Sequence, residues 1–117
     1  MQTISIKRIY ESPTPEDGFR VLVDRVWPRG MTKEKAAIDL WDKDIAPSSE
    51  LRKWFNHELA KWDAFQTKYR DELAAKADSL KQLLEASARK PITLLYGAKD
   101  EQHNQAIVLR DFLKKAI

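Results

Sequence analysis

Val21-Leu22-Val23-Asp24-Arg25-Val26-Trp27-Pro28-Arg29-Gly30 starts as a buried strand and finishes as a charged, rigid turn. Val21 to Val23 is a β-branched and aliphatic run, the usual content of a strand covered on both faces. Asp24 and Arg25 interrupt it with opposite charges, and Trp27 adds a large flat ring. Pro28 fixes its own φ and holds Trp27 extended, while Gly30 lets the chain turn away. Ligands of open α/β sheets bind beyond the carboxyl ends of the strands. The stretch therefore predicts a mainly parallel sheet with a site at one strand's end.

A second stretch has the same layout. Ile92-Thr93-Leu94-Leu95-Tyr96 is the strongest strand pattern in the chain and reads as central. Gly97-Ala98-Lys99 forms the turn after it. Asp100 is positioned to cap a last helix, with Glu101 in its first turn and Ala106, Leu109, Leu113 and Ala116 on its buried side.

Thr3 to Tyr10 alternates with period two, so it predicts a first strand with Ile4, Ile6 and Ile9 toward the core. The loop from Glu11 to Gly18, with two prolines and an Asp-Gly pair, is too short for a crossover helix. The first strand and the Phe19–Val26 strand are thus either antiparallel neighbours or parallel strands joined without a helix. Thr32 caps a short helical turn, Ile38 to Trp41 reads as a third strand, and Ser48 caps a helix carrying Leu51, Trp54 and Phe55. Trp62, Phe65, Tyr69 and Leu73 mark the apolar stripe of a further helix. Helical spacing continues to about Ala88, with a kink near Ala75-Lys76. The fold class is α/β: one domain over residues 1–117, with a small, mostly parallel sheet of about four strands between helices, three-layered and Rossmann-like.

Composition narrows the class. The chain has 117 residues, 43% hydrophobic and 33% charged, which suits one well-solvated globular core. It has no cysteine, so disulfides and thiolate chemistry are excluded. Its start lacks the apolar core of a signal peptide, and no segment has the apolar length of a membrane span, so the expected location is cytoplasmic. Net charge is +3, but the signs are interleaved and no Lys/Arg block exists. This argues against a dedicated nucleic-acid binder.

If the two strand ends are parallel neighbours, Arg8, Asp24, Arg25, Arg29, Lys99, Asp100, His103 and Asn104 surround one cleft. The arginines and the lysine suit a phosphate or carboxylate, and Trp27 or Tyr96 can stack on a planar group. Each residue also has a structural reading. Asp24 and Arg25 can be an ion pair that fixes the loop, Trp27-Pro28 a packing wedge, and His103 a residue bonded to a neighbour on its helix. His57 reads as an exposed or capping residue. With only two histidines and no ligand spacing, no metal site is expected. The lone glycine turn at Gly97 matches neither a dinucleotide fingerprint nor a P-loop, and nothing names a cofactor.

Arg20 to Gly30, Ile45-Ala46-Pro47-Ser48, Leu51-Arg52-Lys53-Trp54-Phe55, Thr93 to Tyr96, Lys99-Asp100-Glu101 and His103-Asn104 occur in an order that resembles the bacterial YeaO-like family, small domain-of-unknown-function proteins. Asn56-His57-Glu58-Leu59 departs from the Gly-His-Asp-Pro type of turn associated with that family. The resemblance implies a single α/β domain in a bacterial cytosol and brings no reaction, cofactor or catalytic residue with it.

Two classes of function follow. The first is a site for a small anionic metabolite, such as a nucleotide or sugar phosphate, held by Arg25, Arg29 and the amides around Asp100 to Asn104. For hydrolysis or transfer there, the candidate catalytic groups are Asp24 or His103 as general base and Arg25 for developing negative charge. The second is a non-enzymatic interaction module for a protein or nucleic acid. A monomer and a homodimer are compatible with both.

Overall fold

The computed structural model describes residues 2–116; Met1 and Ile117 lie outside the described residues. Four strands, β1 (Ile4–Arg8), β2 (Phe19–Leu22), β3 (Leu40–Trp41) and β4 (Ile92–Tyr96), form one sheet in the order β1-β4-β2-β3. Every pairing is parallel. The fully buried β4 is central, as its β-branched and aliphatic content suggests, with the Thr93 hydroxyl donating to the Asp17 carbonyl at 2.7 Å. It lies between β1 and β2, which resolves the alternatives for those strands. They are parallel, and the Ile9–Gly18 segment returns the chain between them without a full crossover helix.

Five helices complete the chain: α1 (Lys33–Ala36), α2 (Ser49–Phe55), α3 (Trp62–Ala74), α4 (Ala77–Ala86) and α5 (Gln105–Ala116). Strand side chains alternate between two faces. Val21, Val23, Ile92, Leu94 and Tyr96 join the main core with residues of α2, α3, α4 and α5. Leu22 and Leu95 point the other way, where Ile9, Ala36, Trp27, Met31, Ile38 and Trp41 cover them. The third layer is thus one helical turn and a loop. Ile4 and Ile6 belong to the helical face and Ile9 to the other. The expected kink is a full break, with Ala75 and Lys76 between α3 and α4. Among the described residues no helix is long and apolar enough to cross a membrane.

β2 stops at Leu22, earlier than its sequence suggests. The Val23 amide still donates to the Leu95 carbonyl at 3.0 Å, but Trp41 Nε1 then donates to the Asp24 carbonyl at 2.7 Å. That bond takes the backbone out of the ladder, and Val26 ends 55% exposed.

A polar network lies on the sheet face that Leu22 and Leu95 share with Ala36. Arg20, only 4% exposed, donates to Asp17 Oδ2 at 2.5 Å and to the Ala36 and Ala37 carbonyls at 2.7 and 3.0 Å, satisfying the last carbonyls of α1. Lys7 also donates to Asp17. Burial raises the Asp17 pKa, but the Thr14 amide, Lys7, the Thr14 hydroxyl and Arg20 outweigh it and hold the carboxyl at about 2. Gly18 follows with φ +65°, where a Cβ would lie 2.3 Å from the Pro91 carbonyl oxygen.

Candidate functional site

The ends of β2 and β4 meet through Asp24. Its Oδ2 accepts the Gly97 amide at 2.8 Å, and its Oδ1 accepts Gln105 Nε2 from the first turn of α5. Burial raises its pKa to about 6, against the opposing pull of these two donors and the Arg52 charge. Arg25 turns elsewhere: Nε donates to the Pro47 carbonyl at 2.9 Å and an Nη to the Ala46 carbonyl at 3.5 Å. Asp24 and Arg25 therefore fasten two different segments and are not paired with each other.

Side chains of α3 and the α3–α4 break hold the segment that Arg25 grips. Tyr69 donates to the Ile45 carbonyl and Lys76 to the Asp44 carbonyl. Glu72 accepts from the Ser48 amide at 2.9 Å and the Ser48 hydroxyl at 2.6 Å. Ser48 Oγ in turn accepts the Leu51 amide at 3.1 Å, the cap its sequence position predicts.

Between these anchors lies a hollow of about 140 Å³, lined by Asp24, Arg25, Pro47, Arg52, Phe55, His57, Phe65, Ala98, Asn104 and Gln105. Arg25 and Arg52 line this hollow together with Asp24, whose carboxyl burial makes reluctant to ionise. Arg52 forms no ion pair among the described residues. A second hollow of about 410 Å³ shares Phe55 and His57 and adds Leu59, Lys99, Asp100 and His103.

The sequence candidates divide accordingly. Asp24, Arg25 and Asn104 line the first hollow, and Lys99, Asp100 and His103 the second. Four candidates line neither. Tyr96 is buried in the main core. Trp27 lies on the other face, edge-on to Trp41 at 5.2 Å and donating to the Met31 carbonyl, so it is the packing wedge. Arg29 is exposed, and its carbonyl accepts the Tyr10 hydroxyl. Arg8 donates to the Ala98 carbonyl and lies over the Tyr10 ring.

The amides expected to meet an anion are already occupied. Asp100 Oδ1 accepts from the Gln102 and His103 amides at 2.9 and 3.1 Å. The Gln102 amide and the His103 side chain hold the Asp100 carboxyl below its usual pKa. The cap of α5 is Asn104, not Asp100: Asn104 Oδ1 accepts the Ile107 amide at 3.2 Å. His103 Nδ1 sits 3.0 Å from Asp100 Oδ2, the local bond open to it from sequence.

Sequence reasoning missed Arg52, Phe55, His57, Phe65, Pro47 and Gln105 as lining residues. Arg52 lies one helical turn after the Ser48 cap, and that spacing was the available signal. Asn56 and His57 both adopt left-handed backbone, at φ 47° and 55°, a turn that glycine or asparagine enters most readily. Among the described residues no group of three or more His, Asp or Glu side chains is arranged to hold a metal ion.

A family model described as "Inactive DUF488-N3 subclade" matches residues 3–117. The chain is 45% identical over 111 residues to the uncharacterized protein YeaO of Escherichia coli, covering 95% of this chain and 96% of that protein. It is 37% identical over 110 residues to the uncharacterized proteins Mb3100c of Mycobacterium bovis and Rv3073c of Mycobacterium tuberculosis, covering 94% of this chain and 92% of each. No solved structure matches.

Proposed function

The chain belongs to the inactive DUF488-N3 subclade, and from that premise we propose that it binds a small anionic metabolite without turning it over. The ligand class is a phosphate-containing compound, received at the ends of β2 and β4. The observation that carries this reading is the pair Arg25 and Arg52 on one hollow with Asp24 as its only carboxylate among the described residues. Arg25 is pre-oriented by its bonds to the 46–47 carbonyls, which lowers the cost of ordering it on binding. Binding without turnover is supported by the family description and by Asp24, whose two oxygens already accept hydrogen bonds. A carboxylate so engaged is poorly placed as a general base.

Isothermal titration with inorganic phosphate tests the reading. Arg52→Ala, an exposed position, is expected to weaken phosphate binding about tenfold or more, the worth of one charge-assisted contact. Circular dichroism should be unchanged. Arg25→Ala is expected to lose at least as much. Absence of phosphate binding in the wild type, or wild-type affinity in both variants, overturns the proposal.

A further inference from the structure

We propose that the ligand is a monophosphate bearing a flat apolar ring, with its phosphate in the arginine hollow and its ring in the neighbouring one. This rests on the anion reading above and adds the other half of the molecule. The hollow of about 140 Å³ has room for a head group and little more. The hollow of about 410 Å³ reaches the size range of organic-ligand pockets, and the two share Phe55 and His57.

Phe55, His57, Leu59 and His103 line the larger hollow with Lys99 and Asp100. Phe55 is buried, stacked on Phe65 with centroids 4.3 Å apart, and Trp62 stacks on Phe65 in turn at 5.7 Å. Leu59 is 60% exposed, an apolar side chain that a ligand would cover. His103 is braced by Asp100 and stands edge-on to Trp62 at 5.3 Å, and His57 is tilted against Phe55 at 6.0 Å. These aromatic faces and edges favour a flat ring over a hydroxylated body, because ring quadrupoles reward offset and edge-to-face contact.

The test compares inorganic phosphate, phenyl phosphate and a hexose phosphate by calorimetry on the full chain. Phenyl phosphate is expected to bind about tenfold or more tighter than inorganic phosphate, and hexose phosphate no tighter. Leu59→Ala, at an exposed position, is expected to remove much of that gain and leave inorganic phosphate binding unchanged. If inorganic phosphate binds and phenyl phosphate gains nothing, or hexose phosphate gains as much, the ring inference falls while the anion reading stands. If no phosphate compound binds, both fall.

Discussion

Asp24 Oδ2 and the Gly97 amide, 2.8 Å apart, tie the end of one parallel strand to the end of its neighbour. The approach is so close that a Cβ on Gly97 would lie 3.0 Å from the same oxygen. One half-buried carboxyl thus ties the two strand ends together and contributes a titratable charge to the hollow between them.

The first prediction concerns its proton. A carboxyl raised to about 6 in the folded state contributes stability in full below its unfolded value, and that stability is lost as pH rises through 6. Asp24→Asn keeps an oxygen for the Gly97 amide, and Gln105 can turn its own carbonyl to receive the new NH₂. The variant is expected to be more stable than wild type at pH 8, by up to about 3 kcal/mol. The gap should close as pH falls from 6 to 4. Urea denaturation at pH 8, 6 and 4.5 checks this, and a gap independent of pH would refute it.

The same proton should tune the anion. Sulfate, which does not titrate over this range, is expected to bind several-fold tighter at pH 5 than at pH 7.5, because protonation removes the negative charge that shares the hollow with Arg25 and Arg52. Asp24→Asn should flatten that dependence. Calorimetry at both pH values reads the result; an unchanged pH response in the variant would assign the effect to another group.

Asp17 carries the opposite sign. Held at about 2 in the fold, its carboxyl contributes stability that is present above its unfolded value near 4 and lost as pH falls through 2. The shift corresponds to about 2 kcal/mol. Asp17→Asn also leaves buried Arg20 without its counter-charge, so a loss of about 3 kcal/mol is expected at pH 7. Denaturation midpoints at pH 7 and pH 3 should show the variant's deficit shrinking with acid.

Gly18 and Gly30 offer a matched pair. Both have positive φ, at 65° and 75°, but nothing lies within 4 Å of a Cβ built on Gly30. Gly30→Ala should cost about 1 kcal/mol from backbone strain alone. Gly18→Ala adds a collision with the Pro91 carbonyl, which is fixed by the Phe19 amide at 2.7 Å, and should cost well over 2 kcal/mol. Equal losses in thermal melts would mean that the Pro91 backbone yields.

Much of this fold is legible in the sequence because hydrophobic period and turn chemistry are local. The unbroken run Ile92–Tyr96 marks the central strand, and Ser48 marks its helix. Residues whose roles depend on distant partners are harder to read. Trp27 reads as either a stacking platform or a packing wedge until Trp41 is brought to its edge. Arg52 looks like a solvated helix residue until the strand ends arrive opposite it. The Asp100 amides look available until the adjacent carboxylate folds back onto them. Asp24 and Arg25 stand out because they break an apolar strand, which is again a local signal.

The strand order has a consequence for how the chain reaches this state. Ile4 pairs with Ile92 and Phe19 with the same residue, while β1 and β2 never pair with each other. Until the central strand is synthesised, both earlier strands have no neighbour on that side, and an N-terminal fragment has no means of building this sheet. Contacts of such long sequence separation slow folding, and bare strand edges invite intermolecular pairing. The late central strand therefore leaves the edges of β1 and β2 bare until residues 92–96 have inserted, the stage at which a newly made chain is most open to intermolecular pairing.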